Sequence, residues 1–438
     1  MLVRFLSLLV LLLFATTSLR AAPPNVVLIV SDDHGFADYG FMGHPQIRTP
    51  HLDRLAARSL LFTQAHVAAP LCCPSLASII TGLHPHQHGI TCNDPPVPQN
   101  LDPNKPQGNR ARQPSFLAGR AVMTERIARC TTIPRLLSDY LSLQTGKWWQ
   151  GNHTSAGFTH GMTHGDESRG GRHGDEGLHI GRQTMQPIAD FLDRAQSAQQ
   201  PFFIWYAPML PHQPHDAPQR FVDLYRDVAP SPQVARYWAN ITWFDETCGQ
   251  LFDLLAQRQL AENTLILYVA DNGWIQDPAA DRVAPRSKRT PYEGGLRTPI
   301  LASWPGHIEP RRDEHYVSSI DLLPTIAAAC QRAIPPDCQG VNLLDPQQVA
   351  DRHAIFGAAY THNALDLDRP ARNLQYRYVI ADGWKLIAPD PRNQPRESPQ
   401  LYHLADDPLE THDQAAVDHA RLQALTAQLN AWWPAQDQ

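Results

Sequence analysis

Asn25-Val26-Val27-Leu28-Ile29-Val30-Ser31-Asp32-Asp33-His34-Gly35 is the stretch whose reading decides the fold. A strand with one wet face alternates apolar and polar residues. An unbroken aliphatic run that stops at polar groups instead reads as a parallel strand buried on both faces, followed by a loop. The pattern recurs twice. Pro201-Phe202-Phe203-Ile204-Trp205-Tyr206 leads into Pro208-Met209-Leu210-Pro211-His212-Gln213-Pro214-His215, and Thr264 to Ala270 leads into Asp271-Asn272-Gly273. Open α/β sheets bind ligands beyond the carboxyl ends of their strands, so three strands that deliver Asp, His and Asn at equivalent positions predict one shared site.

Around these strands the periodicity predicts helices from Thr49, with Pro50 at the first position, over Ile133 to Leu141, Val234 to Arg258 and Ser318 to Cys330. A further strand is expected near Ile300, after Pro291-Tyr292-Glu293-Gly294-Gly295-Leu296-Arg297-Thr298-Pro299. Beyond about Leu344 the pattern changes. Arg377 to Ile380 and Trp384 to Ile387 read as antiparallel strands around Ala381-Asp382-Gly383, and Asp418 to Trp432 as a closing helix capped by Asp418. The chain therefore divides into an α/β domain over residues 23–344 and a smaller α+β subdomain over 345–438. Asn93 to Arg129, broken by Pro95, Pro96, Pro98, Pro103, Pro106 and Pro114, reads as an inserted surface segment without regular elements. The Gly/His-rich stretch His153 to His179 is long enough to be a functional loop.

Residues 1–22 have the form of a secretory leader, with Arg4, an apolar core from Leu8 to Phe14 and small residues Ala21 and Ala22 at the cut. That core is too short to span a bilayer, and no later run approaches the roughly 20 apolar residues a membrane helix needs. Export to the periplasm or beyond is expected. Loss of Arg4 and Arg20 moves the formal charge of −6 further negative, which gives nucleic acid nothing to bind. Seven cysteines in an exported chain invite disulfides, with Cys330 to Cys338 the best local pair and Cys92 to Cys130 a weaker one.

The chemistry centres on Pro70-Leu71-Cys72-Cys73-Pro74-Ser75-Leu76-Ala77-Ser78-Ile79-Ile80-Thr81-Gly82. Pro74 suits a first helical turn and Ser75 a cap, which places Cys72 at a helix N-terminus where the dipole favours a thiolate or an anion. Asp32, Asp33, Asp271 and Asn272 supply hard oxygen ligands suited to Ca²⁺ or Mg²⁺. Lys147, His212 and Lys288 can stabilise an anionic substrate and assist a leaving group.

Asn25 to His34, Cys72 to Gly82, Thr145-Gly146-Lys147-Trp148, Pro211-His212-Gln213-Pro214, Asp271-Asn272-Gly273, Tyr292 to Pro299, and Leu401-Tyr402-His403-Leu404 with Asp407-Pro408-Leu409-Glu410 resemble, in order, the motifs of the type I sulfatases of the alkaline phosphatase superfamily. The resemblance covers essentially the whole mature chain. It implies a mixed, mostly parallel central sheet flanked by helices, and an exported hydrolase of sulfate esters, with a sulfated carbohydrate as expected substrate. It implies a formylglycine made from Cys72 by a maturase and one Ca²⁺ held by Asp32, Asp33, Asp271, Asn272 and the modified Cys72. Lys147, His212 and Lys288 fall on positions that contact sulfate or move protons. In the family, the aldehyde hydrate attacks sulfur, the alcohol departs, and the bound sulfate is eliminated.

Two positions depart from the pattern. Leu76 stands where the modification motif carries arginine, and Trp149 where the Gly-Lys-Trp-His run carries histidine. Neither side chain offers what it replaces. A histidine or arginine from the 153–179 loop is one source of compensation. The departures keep two other readings open: a chain with unmodified Cys72 that binds sulfated glycans without turnover, and a phosphate or phosphonate ester hydrolase with a thiol nucleophile.

Overall fold

In the computed structural model, which describes residues 23–98 and 113–435, the Asn25–Ser31 run is the fourth strand across a nine-stranded sheet. The leader at 1–22 lies outside the described residues, as do residues 99–112 of the proline-rich segment. The strands are β1 (Asn25–Ser31), β2 (Leu60–His66), β3 (Leu141–Gly146), β4 (His160–Gly161), β5 (Phe202–Ala207), β6 (Thr264–Ala270), β7 (Arg297–Ser303), β8 (Arg311–Asp313) and β9 (Val317–Ser318). They lie in the order β4-β3-β5-β1-β6-β7-β2-β8, with β9 also on β2. Only β7 runs against its neighbours.

Val26 to Ile29 are fully buried. Val26, Leu28 and Val30 face one core layer, with the Cys72–Thr81 and Leu322–Ala329 helices. Val27 and Ile29 face the other, with the Pro50–Ala57, Gln186–Ala198 and Pro232–Gln257 helices. Burial is worth about 1.5–3 kcal/mol per such side chain, which explains why the run has no polar interruption.

A second, antiparallel sheet contains β10 (Ala354–Tyr360), β11 (Leu374–Ala381), β12 (Trp384–Pro389) and β13 (Gln400–His403) in that order, closed by the His419–Trp432 helix. Asp418 caps this helix by accepting from the Arg421 N–H. The two sheets are tied through the segment that follows β2. Tyr378 donates to the Val67 carbonyl at 2.6 Å, and the Ala358 N–H to the Ala68 carbonyl at 3.1 Å. Behind them lies a buried charge cluster. Glu293 lies 3.0 Å from His66 and 2.9 Å from Lys385, whose ammonium also lies 2.8 Å from Glu410. Burial opposes ionisation of Glu293, but His66 and Lys385 outweigh it and hold its pKa below the ordinary value. The Tyr292 to Pro299 motif thus pins one sheet to the other.

Several local expectations need correction. The helix expected over Ile133 to Leu141 stops at Leu136, because Leu141 opens β3. The segment read as lacking regular elements contains a 16-residue helix, Pro114–Arg129, with its proline in the first turn, where a missing N–H costs nothing. Ser318 to Cys330 is a short 3₁₀ turn followed by the Leu322–Ala329 helix. All seven cysteines are free. Cys338 Sγ faces the Gly82 carbonyl and Cys130 Sγ the Arg126 carbonyl, while Cys92 sits beside Thr91 and Thr361, so neither expected pair is joined.

Candidate active site

β3, β5, β1 and β6 are consecutive, parallel neighbours, so their carboxyl ends share one edge. Each end is fastened to the next. The Lys147 N–H donates to the Ala207 carbonyl, Asp32 N–H to Leu210, and Asp271 N–H to Ser31, at 2.7 to 2.9 Å. Gly146 makes the first crossing possible: its φ is +75°, and a Cβ there would fall 1.9 Å from the Ala207 carbonyl oxygen. The edge therefore presents, in spatial order, Lys147, His212, the Asp32-Asp33 pair and the Asp271-Asn272 pair.

Cys72 arrives from the far side, after β2, as the first residue of its helix. Leu71 occupies the cap position in an extended conformation, the Cys73 N–H is held by Asn93 Oδ1 at 2.9 Å, and Ser75 lies inside the helix with its hydroxyl unpartnered, so Ser75 is not the cap. Lys288 comes from the loop after β6, which is fixed to this helix's approach by the Arg289 N–H bonding the Pro70 carbonyl at 2.8 Å.

These side chains converge. Lys147 Nζ lies 2.6 Å from Asp32 Oδ1 and 3.3 Å from Asp271 Oδ2, and Lys288 Nζ lies 2.5 Å from Asp33 Oδ1. His212 Nε2 is 3.5 Å from Asp33 Oδ2, and Asn272 Nδ2 donates to Asp33 Oδ1 at 2.7 Å. Asp33 is held with φ at +59°, its N–H bonded to Asp271 Oδ1 at 3.1 Å, a costly backbone conformation of the kind that accumulates at functional sites. One ligand atom each from Asp32, Asp33, Cys72 and His212 lies within 4.8 Å of the others.

The donor set fits a hard cation. Asp32 Oδ2, Asp33 Oδ2 and Asn272 Oδ1 are buried with no hydrogen-bond partner, and such oxygens are expensive to bury unless something positive faces them. Asp32, Asp33 and Asp271 outnumber Lys147 and Lys288 by one charge, so a divalent ion turns the site from net negative to net positive, as an anionic substrate requires. Burial raises the pKa of Asp32 and Asp271 despite Lys147, whereas the lysines and His212 overcome burial at Asp33 and lower it. Lys147 and Lys288 are held firmly charged: burial opposes this, but the carboxylates win.

Burial, only partly offset by the two lysines, pushes the Cys72 thiol up to about 12, which works against the thiolate expected from the helix dipole. Leu76, 1% exposed, packs in the same apolar layer as Ile79 and Ile80. Trp149 is equally buried, with Arg172 and Arg120 over its ring at 5.0 and 5.7 Å. Beside it lies a cavity of about 690 Å³, lined from the Pro114–Arg129 helix by Arg120 and Thr124 and from the 153–179 loop by Asp166, Ser168 and Arg172. Asn93 and His173 also reach the site, and neither is marked out by a motif. Their signal is slight: an Asn-Asp pair after Cys92, and a histidine bracketed by Gly170, Gly171 and Gly174.

Residues 24–331 match the model of the sulfatase family, and residues 286–434 match N-sulphoglucosamine sulphohydrolase, C-terminal. The chain belongs to the sulfatase family. This sulfatase is similar to the N-acetylgalactosamine-6-sulfatase of Canis lupus familiaris, with 29% identity over 82% of this chain and 73% of that one. It is also similar to the arylsulfatase A of Homo sapiens, with 30% identity over 72% of this chain and 66% of that one. Among solved structures, Ps i-CgsB in complex with k-i-k-neocarrahexaose has the same fold at a TM-score of 0.73, with 24% identity over 95% of this sulfatase and 94% of that protein. The family is that of sulfuric ester hydrolases, and the mixed sheet with its antiparallel companion is the expected architecture.

Proposed function

We propose that this sulfatase is exported to the periplasm or beyond and hydrolyses sulfate esters of a sulfated carbohydrate, using a formylglycine made from Cys72 and one bound Ca²⁺. The observation that carries the reading is the convergence of three carboxylates, two charged lysines and Cys72, with buried unpartnered oxygens among them. Burial pushes the Cys72 thiol well above its ordinary range, which favours a modified side chain over a free thiolate as the nucleophile. The relatives support the carbohydrate: one is named N-acetylgalactosamine-6-sulfatase, and a solved neighbour is in complex with k-i-k-neocarrahexaose. The 690 Å³ cavity beside Trp149 has the size of a sugar site.

Asp32, Asp33, Asp271 and Asn272 would hold the cation, together with the modified Cys72. The cation supplies Lewis-acid polarisation of the sulfuryl oxygens, and the modified side chain supplies the attacking oxygen. The remaining steps belong to the chain's own groups. Lys147 and Lys288 are fixed, charged donors that stabilise negative charge as it develops on the sulfuryl group and the departing alcohol. His212 is half-buried, burial lowers its pKa to about 4, and its Nδ1 bonds the Gln213 carbonyl, so Nε2 is the atom it turns toward Asp33 and the substrate. A maturase that accepts leucine at position 76 completes the scheme.

The test is sulfate release from sulfated oligosaccharides by the Ca²⁺-loaded protein. Release that disappears in Asp271→Ala supports the reading. Binding of the glycan without release, from protein whose Cys72 has been converted, contradicts it.

A further inference from the structure

His173 enters the site from the 153–179 loop, and it is fastened there from both sides. Its carbonyl accepts the Trp148 N–H at 2.8 Å. The next residue, Gly174, packs so closely that a Cβ would fall 2.6 Å from the Gly146 carbonyl oxygen, with φ at +151°. The loop therefore sits directly on the chain that carries Lys147.

The side chain is fixed as well. Arg172 Nε donates to His173 Nε2 at 3.4 Å, and Arg172 Nη1 donates to both oxygens of fully buried Asp94, at 3.1 and 2.9 Å. The neighbouring Asn93 holds the Cys73 N–H. One dipeptide, Asn93-Asp94, thus braces the turn that presents Cys72 and, through Arg172, the imidazole of His173. The ring lies 5.8 Å from that of His212 and 4.6 Å from that of Trp149, centroid to centroid. Burial, reinforced by Lys147, His212, Arg172 and Lys288, keeps it neutral, with a pKa of about 2. With Nε2 accepting from Arg172, the ring proton belongs on Nδ1, so the imidazole is a donor.

We infer that His173 is a substrate-facing positioning residue that donates a hydrogen bond to the sulfuryl group beside His212, a role Trp149 cannot fill. The inference rests on the sulfate-ester reading and deepens it. A ring that only packed against Trp149 would not need a half-buried arginine anchored on a buried aspartate behind it.

The Ca²⁺-loaded protein tests it, with inorganic sulfate as the probe in calorimetry and kcat and KM measured on the sulfated substrate. His173→Phe keeps the ring and removes the donor. It should weaken sulfate binding and lower kcat/KM by about tenfold or more, the value of one hydrogen bond to a charged group, while the thermal midpoint stays within a few degrees. His173→Gln keeps a donor and should retain most of the sulfate affinity. Wild-type sulfate binding and turnover in His173→Phe overturn the assignment, as does a sulfate affinity that falls only in step with stability across both variants. If the wild type binds sulfate, His173→Phe does not, and no ester is cleaved by either, the assignment holds and the hydrolytic reading fails.

Discussion

Lys147 Nζ sits 2.6 Å from Asp32 Oδ1, joining the ends of β3 and β1, and neither side chain of the pair is more than 3% exposed. At that burial the pair cannot be dismissed as a surface contact worth a few tenths of a kcal/mol. Removing one partner strands the other charge. Lys147→Met should therefore destabilise the protein by about 3–5 kcal/mol and abolish turnover, read by denaturant unfolding and sulfate release. Unchanged stability would mean that the carboxylates are neutral in the folded protein.

Chelation should lower the thermal midpoint by several degrees, because Asp32, Asp33 and Asp271 would lose the cation proposed to balance them. An ion at a hundred times its Kd contributes about 2.7 kcal/mol. Ca²⁺ should restore the midpoint better than Zn²⁺, given a donor set dominated by oxygen. No shift on chelation, with activity intact, would contradict the cation assignment.

Lys385→Met tests the joint between the sheets. It leaves Glu293 and Glu410 facing each other without their shared ammonium, which lies 2.9 and 2.8 Å away in the wild type. A loss of about 3–5 kcal/mol is expected, with KM for any small sulfate ester little changed because the ammonium bonds Glu293 and Glu410 rather than the side chains gathered around Asp33. Differential scanning calorimetry and steady-state kinetics separate the two effects.

The buried histidines should make the fold lose stability as pH falls below 6.5. His88 is fully buried and neutral: Nδ1 accepts the Ile90 N–H, Nε2 bonds Ser78, and burial lowers its pKa to about 3. The unfolded chain takes up a proton near pH 6.5 that the folded chain refuses. The stabilisation is therefore complete above that pH and falls by about 1.4 kcal/mol per unit as pH drops toward 3. His88→Gln should flatten the slope of stability against pH between 6.5 and 4, measured by urea unfolding.

How much of this was legible in the sequence follows the physics of each element. β1, β5 and β6 are buried on both faces and read as unbroken apolar runs, so they and the polar groups at their ends were visible. β3 was not, because Ser142 and Gln144 interrupt Leu141, Leu143 and Gly146, although both are buried and satisfied by Thr159, Thr163 and Gly146. The Pro114–Arg129 helix was masked by upstream prolines. Ser75 looked like a cap because Pro74 marked the first turn, yet the helix begins two residues earlier. His173 could not be placed by spacing at all. It reaches the site through a loop whose path is set by Gly174 against Gly146 and by Arg172 on Asp94, contacts no periodicity records.

The central claim is that Cys72 becomes the aldehyde despite Leu76. The most direct measurement is the mass of the peptide spanning Cys72 from protein made in its native host. A loss of roughly 18 Da from the thiol form, sulfur replaced by oxygen with two hydrogens removed, is the predicted result. A peptide found only as thiol or disulfide would contradict it.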